Sequence, residues 1–208
     1  MPSSSAHSAL DIAPTIDELV YAYEGVFSRA EVFEAVARAR EVIELTATVR
    51  NYLPVLIKRY AEELLGAQAQ SDGRIGKAVP EILFVCVHNA GRSQMAAAFA
   101  AHLAPGKVHV RSAGSQPRGD LNPLAVEVLA ERGIDLAAAY SKPLSDSFVH
   151  AADVIITMGC GDACPYYPGK RYEDWDVGDP DGRTLDEVRD IRDDILARVS
   201  ELLRELGL

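Results

Sequence analysis

Cys86-Val-His-Asn-Ala-Gly-Arg92-Ser93 is preceded by Glu81-Ile-Leu-Phe-Val85 and followed by Gln94-Met-Ala-Ala-Ala-Phe-Ala. The first flank is a short apolar run rich in β-branched and aromatic residues, the pattern of a buried strand. The second is built from good helix formers. A cysteine, five residues, an arginine and a serine therefore sit on a strand-to-helix turn. Such a turn aims backbone N–H groups and the positive end of a helix dipole at one point. A sulfur placed there is surrounded by groups that stabilise its reactive, anionic form. The guanidinium of Arg92 adds a planar fork that matches a tetrahedral oxyanion. The local physics describes a nucleophilic sulfur in an oxyanion cradle formed by Val87, His88, Asn89, Ala90, Gly91, Arg92 and Ser93. His88 has no sequence partner that identifies it as a base, so it is expected at the rim.

Outward from this loop, strand and helix patterns alternate. Val108-His-Val-Arg-Ser112 reads as a second strand and Pro123 to Arg132 as a helix stopped by Gly133. A short helix is expected over 144–151, a strand at Asp153-Val-Ile-Ile-Thr157 and a short fourth strand near Arg171 to Asp174. Thr184-Leu-Asp-Glu187 is a capping box. Val188, Ile191, Ile195, Val199, Leu202 and Leu206 then mark one long helix ended by Gly207. Alternation of this kind gives an α/β fold, a parallel four-stranded sheet flanked by helices.

Before the loop the pattern is different. Residues 15–69 read as a small all-α three-helix bundle, after a flexible N-terminus over 1–14 and before a linker over 70–79. Thr15-Ile-Asp-Glu18 and Ser28-Arg-Ala-Glu31 are further capping boxes. Val32, Val36, Ala39 and Ile43 recur at helical spacing, as do Leu53, Leu56, Ile57, Tyr60, Ala61 and Leu64, with Pro54 in the first turn of the third helix. Each stripe is too narrow to be buried alone. The α/β domain is expected over 80–208.

The chain has three cysteines, Cys86, Cys160 and Cys164. The last two lie in Met158-Gly-Cys160-Gly-Asp-Ala-Cys164-Pro, just beyond a buried-strand pattern. In a parallel sheet the C-terminal ends of the strands share one edge, where ligands bind, so Cys86 and Cys160 are expected near each other. Cys160 and Cys164 are four residues apart, close enough to pair on a helical turn. A structural zinc site would need four ligands, and the histidines lack suitable spacing. Gly159, Gly161 and Pro165 make the segment rich in turn formers, which favours a redox pair over two inert cysteines.

Composition narrows the rest. The 208 residues carry a formal net charge of −10, with 48% hydrophobic residues. That charge argues against nucleic acid or an anionic membrane as partner. The first residues lack the basic start and apolar core of a signal peptide. No run reaches the roughly 18 apolar residues of a membrane span. Three cysteines, one of them in a reactive loop, fit a reducing cytoplasm.

The loop from Cys86 to Ser93 resembles the phosphate-binding loop of the low-molecular-weight tyrosine phosphatases and of the arsenate reductases that share their fold. Ser112-Ala-Gly114 resembles the family's Ser-Ala-Gly, and Asp179-Pro180 resembles the Asp-Pro that carries its general acid. The resemblance covers about residues 80–208. It implies Cys86 as nucleophile, Arg92 as oxyanion ligand and Asp179 as proton donor. The three cysteines favour the reductase branch, because a phosphatase needs one thiol and a reductase needs electrons. So do Gln94-Met95-Ala96 and the lack of aromatic residues in Asp181-Gly182-Arg183. Tyr166, Tyr167, Tyr172 and Trp175 lie upstream and read as core or loop anchors.

The resemblance thus implies arsenate as substrate, with phosphate or sulfate as mimics. It implies a relay Cys86, Cys160, Cys164, and recycling by a thioredoxin-like reductant or a low-molecular-weight thiol such as mycothiol. The gap between Cys160 and Cys164 is shorter than is common in thioredoxin-linked members. No organic cofactor and no metal are called for. The bundle resembles helical extensions of some actinobacterial members, and a homodimer contact, partner docking or a stabilising cap are all open roles for it. The alternative functions are a phosphatase for phosphotyrosine or small phosphate esters, and a binding module that senses arsenic or redox state.

Overall fold

A computed structural model describes residues 11–46, 52–159 and 166–208. The helices α1 (Ala13–Ala22), α2 (Arg29–Thr46) and α3 (Leu53–Ser71) come first. Then follow β1 (Glu81–Cys86), α4 (Arg92–Leu103), β2 (His109–Gly114), α5 (Pro123–Ala130), α6 (Asp146–Ala151), β3 (Val154–Met158), β4 (Arg171–Asp174) and α7 (Leu185–Glu205). The four strands form one parallel sheet in the order β2-β1-β3-β4. Strand β1, buried at all six positions, is central, as its unbroken apolar pattern requires. Register pairs Cys86 with Gly114 on one side and with Met158 on the other.

Local signals account for most element ends. The Ser28/Glu31 box is formed, with the Ser28 N–H donating to Glu31 Oε2 at 2.7 Å and the Glu31 N–H donating to Ser28 Oγ at 3.3 Å. So is the Thr184/Glu187 box of α7. The Thr15/Glu18 box is not formed. Helix α1 starts at Ala13, with Ile12 at its N-cap and Pro14 in its first turn, because proline's fixed φ favours a start at that position. Asp11 Oδ1 takes the orphan N–H of Ala13 at 3.0 Å. Strand β2 runs two residues past Ser112, because its pairing with β1 continues to Cys86.

The sheet separates two cores. On one face Phe84, Met95, Phe99, Val128, Ile156, Val188, Ile195 and Val199 join α4, α5 and α7. Trp175 also buries here, its ring centroid 5.9 Å from that of Phe84. On the other face Leu83, Val85, Ile155, Phe148 and Val149 merge with Leu19, Val32, Val36, Ile43, Ile57, Tyr60 and Leu65 of the helical bundle. The bundle therefore shares one continuous core with the sheet and α6, and Tyr60 packs edge-on against Phe148 at 6.0 Å. No described helix is long and apolar enough to cross a membrane.

Candidate active site

The Cys86–Ser93 loop lies where β1 gives way to α4, at the C-terminal edge of the sheet. Its carbonyls are tied to the chain that follows β2. The Gln116 N–H donates to Val87 O (2.8 Å), Arg118 N–H to His88 O (3.2 Å) and Asn122 N–H to Ala90 O (2.8 Å). In a trans peptide the C=O and the next N–H point in opposite directions. Tying these carbonyls outward turns the N–H groups of His88, Asn89 and Gly91 inward. The Asn89 N–H indeed points to Cys86 Sγ, at 3.3 Å. The N–H groups of the first α4 turn have no intrahelical acceptor and open on the same side.

Asn89 sets the loop's shape. It is fully buried and has φ 51°, the one positive value found for a non-glycine residue among the described residues. Asparagine tolerates this left-handed conformation better than most residues, and here its side chain is held at both ends. Its Nδ2 donates to Ser93 Oγ at 2.8 Å, and its Oδ1 accepts from the Lys142 N–H at 3.0 Å and from Gln94 Nε2 at 3.1 Å. Ser93 Oγ, which accepts from Asn89, has its own proton left for Cys86 Sγ, 3.0 Å away.

Cys86 and Arg92 open on a pocket of about 150 Å³, bordered by His88, Gly91, Arg118, Asp179 and Pro180. Cys86 is 2% exposed and Arg92 8%. Arg92 Nη2 donates to Asp179 Oδ2 at 2.6 Å, and Nη1 donates to Val177 O at 3.5 Å. The Asp181 N–H holds Asp179 Oδ1 at 3.1 Å. Two glycines make the close approaches possible. A Cβ on Gly91 would stand 2.6 Å from Pro180 Cγ, and one on Gly159 would stand 2.9 Å from Arg92 Nη1. Gly159 also has φ 73°.

Cys86, Arg92 and Asp179 are brought to one pocket, with Asn89 and Ser93 behind its floor. His88 lies half-buried on the pocket wall. Val87 and Ala90 contribute backbone. Cys160 and Cys164 lie outside the described residues. The last described residue before them is Gly159, directly after the partner of Cys86 in β3.

Sequence reasoning missed the supports. Gln94 Nε2 donates to Asn89 O and to Tyr140 O, both at 2.9 Å. Ser141 Oγ donates to His88 O at 2.8 Å. Asn122 caps α5 through the Leu124 and Ala125 N–H groups, while its own N–H ties Ala90. The Asn-Pro pair ahead of an apolar run was a readable signal for that cap. No local pattern marks the segment from Tyr140 to Lys142. The upstream aromatics are anchors: the Tyr167 N–H donates to the Tyr172 hydroxyl at 2.9 Å, Tyr166 stacks on Tyr172 at 4.9 Å, and Trp175 is core. Among the described residues no group of three or more His, Cys, Asp or Glu side chains could hold a metal ion.

A parallel α/β sheet that ends one strand in a cysteine, five residues and an arginine at a helix start defines a cysteine-loop protein of the phosphatase type. The chain belongs to the low molecular weight phosphotyrosine protein phosphatase family, whose profile matches residues 81–207. A second profile, the protein-tyrosine-phosphatase-like N-terminal domain, matches residues 12–69. Among solved structures, a thioredoxin-dependent arsenate reductase of Corynebacterium glutamicum is 40% identical. It superposes with a TM-score of 0.85 over 93% of this chain and 95% of its own. A glutaredoxin arsenate reductase of Synechocystis sp. is 35% identical over 130 residues, 61% of this chain and 98% of that protein. An arginine phosphatase of Geobacillus stearothermophilus, 28% identical, has a TM-score of 0.54 over 62% of this chain and 93% of its own.

Proposed function

We propose that this protein reduces arsenate to arsenite and draws its electrons from a thioredoxin-like dithiol. The observation that carries this reading is the likeness to the Corynebacterium reductase, which extends through the helical bundle as well as the sheet. It is joined by the three cysteines. The small, charged pocket, with no aromatic residue after Pro180, suits an inorganic oxyanion better than an aryl ester.

Arsenate sits among the inward N–H groups from Val87 to Ser93 and on the Arg92 fork. The Cys86 thiolate, steadied by the Ser93 hydroxyl and the Asn89 N–H, attacks arsenic. An As–S bond forms, an As–O bond breaks, and the departing oxygen takes a proton from Asp179 to leave as water. Cys160 then attacks Cys86 Sγ. The S–S bond forms, the S–As bond breaks, and its electron pair stays on arsenic, which leaves as arsenite. Cys164 attacks Cys160 in turn, frees Cys86 and carries the disulfide outward to the reductant.

Reach supports the second step. Met158 lies beside Cys86 in register, about 4.8 Å away across parallel strands. Two further residues of chain can span at most about 7 Å, so chain length allows Cys160 to reach Cys86. A reducing cytoplasm supplies the dithiol pool that this cycle needs.

The test is a single-turnover experiment. After one equivalent of arsenate, Cys164→Ser should carry a Cys86–Cys160 disulfide by mass spectrometry and should fail to turn over with thioredoxin. Cys160→Ser should stop at the arsenic adduct unless an external thiol resolves it. Normal multiple turnover by Cys164→Ser would sink the relay. Aryl-phosphate hydrolysis indifferent to both changes, with no arsenate-dependent electron consumption, would make the protein a phosphatase.

A further inference from the structure

The helical bundle touches the segment behind the oxyanion loop through side chains of α3, with Arg59 over the Tyr140 ring, the Tyr60 hydroxyl donating to Pro143 O, and Glu63 making the charged contact. Glu63, on α3, extends its carboxylate toward the segment Tyr140-Ser-Lys142 that follows α5. Its Oε1 accepts from the Tyr140 hydroxyl at 2.8 Å, and its Oε2 pairs with Lys142 Nζ at 3.3 Å. Its backbone carbonyl accepts from Arg111 Nη1 on β2 at 3.0 Å. The Lys142 ammonium also stands 4.4 Å from the Tyr140 ring centroid, so cation, ring and carboxylate close on one another.

The same three residues hold the loop from behind. The Lys142 N–H donates to Asn89 Oδ1, Ser141 Oγ donates to His88 O, and Tyr140 O accepts from Gln94 Nε2. Asn89 is the left-handed residue that carries both the Ser93 contact and the N–H aimed at Cys86 Sγ. A chain of contacts thus runs from α3 to the nucleophile: Glu63 to the Tyr140 and Lys142 side chains, through the strap's own backbone and Gln94 to Asn89, then to Ser93 and Cys86.

We infer that Glu63 is a positioning residue, through which the helical bundle fixes the strap 140–142 and with it the geometry of the oxyanion loop. Its role deepens the oxyanion-binding reading of the loop and rests on it. The energetic logic favours a built device. Lys142 is 7% exposed and Tyr140 likewise 7%, and a buried ammonium without a partner is strongly destabilising. Burial pushes the Lys142 ammonium below its ordinary value, while the Glu63 carboxylate opposes that shift. Burial pushes the Tyr140 hydroxyl up, and the Glu63 charge pushes the same way, so the hydroxyl stays a donor. Both groups are therefore committed to Glu63, and the backbone between them cannot shift without breaking one contact.

The experiment reads phosphate protection of Cys86 against iodoacetamide, which needs no assumption about the reaction catalysed. Wild type, Glu63→Gln, Tyr140→Phe and the control Glu18→Gln are compared, each with its melting temperature. Glu18 pairs with Lys58 on the outer side of the bundle, away from the strap. Glu63→Gln keeps an acceptor for Tyr140 but orphans the Lys142 charge. It should weaken the phosphate dissociation constant roughly tenfold or more, since a displacement of about 1 Å at a site can cost that much. Tyr140→Phe should weaken it severalfold in a folded protein, and so reads the strap even where Glu63→Gln fails to fold. Glu18→Gln should leave it unchanged.

A merely structural Glu63 would lower the melting temperature and leave phosphate affinity of the folded protein as in wild type. That result in both strap variants would overturn the inference. Absence of phosphate protection in wild type would overturn the oxyanion reading and the positioning role together.

Discussion

At the scale of single residues, Arg92 and Asp179 divide the work by charge. The Arg92 fork faces the pocket with Nη2 on Asp179 and Nη1 on Val177 O, so loop atoms rather than apolar core orient it. A lysine would keep the charge and lose the planar pair of donors. Arg92→Lys should therefore fold, with a near-normal melting temperature, yet lose about 100-fold or more in arsenate turnover, the usual cost of removing one oxyanion donor. Near-normal turnover would mean that the oxyanion sits elsewhere. Asp179 makes an opposite prediction for binding and rate. Its carboxylate lies 2.6 Å from Arg92 Nη2, where it competes with any incoming anion for the fork. Asp179→Asn removes that negative charge and the proposed proton donor together. Phosphate should bind more tightly, by calorimetry, while the first chemical step slows by about 100-fold or more. Equal losses in binding and rate would assign Asp179 to loop shape alone.

At the scale of elements, the turn after β3 matters as much as the loop after β1. Gly159 follows β3 beside Arg92, where φ 73° disfavours a side chain and a Cβ would stand 2.9 Å from Nη1. Gly159→Ala should cost about 1–2 kcal/mol in chemical denaturation and should displace the guanidinium, raising the phosphate dissociation constant roughly tenfold. Unchanged phosphate affinity would show that the turn does not hold Arg92. This turn also marks how far the sequence could be read. The strands and helices were legible because β1, β3 and α7 carry apolar runs or stripes whose period names the element. Cys86, Arg92 and Ser93 stood out because their loop joins a buried-strand pattern to a helix pattern, whereas Asp179 stood out only through the resemblance of Asp179-Pro180 to the family's Asp-Pro. Gln94, Ser141 and Lys142 were not. Each acts through a contact with a residue far along the chain, such as Lys142 with Asn89 across 53 positions, and no local period records such a contact. The unused Thr15/Glu18 box failed for a local reason, since Pro14 starts α1 earlier.

At the scale of the whole molecule, the bundle and the sheet meet across a seam that is polar at one end and apolar along its length. Glu81 is fully buried at the polar end, held by Arg111 Nε at 2.6 Å and His109 Nδ1 at 3.0 Å. Burial pushes its carboxyl up, but the His109 hydrogen bond and the Arg111 charge outweigh that and hold it below the usual carboxylate range. A group with a depressed folded value contributes stability above its unfolded value, near pH 4, and loses it as pH falls through the folded one. Glu81→Gln should therefore flatten the acid limb of the stability curve, and an unchanged limb would remove Glu81 from the acid transition. The apolar length of the seam sets the fate of a truncated chain. Proteins of this family can lack the bundle, since the Synechocystis reductase aligns over 98% of its length to 61% of this chain. Here, however, Phe148 and Val149 of α6 are buried in the same cluster as Ile57, Tyr60, Ala61 and Leu65 of α3, and Arg111 keeps two further contacts with α3, at Glu63 O and Gln70 Oε1. Uncovering two such side chains costs roughly 3–5 kcal/mol, a large share of the 5–15 kcal/mol that holds a domain of this size folded. A chain cut to residues 72–208 should melt well below the intact protein, bind a hydrophobic dye and aggregate on warming. Phosphate protection of Cys86 should weaken with it, because the strap 140–142 loses Glu63. A truncated protein that stays monomeric, dye-free and as stable as the full chain would show the bundle to be an independent appendage.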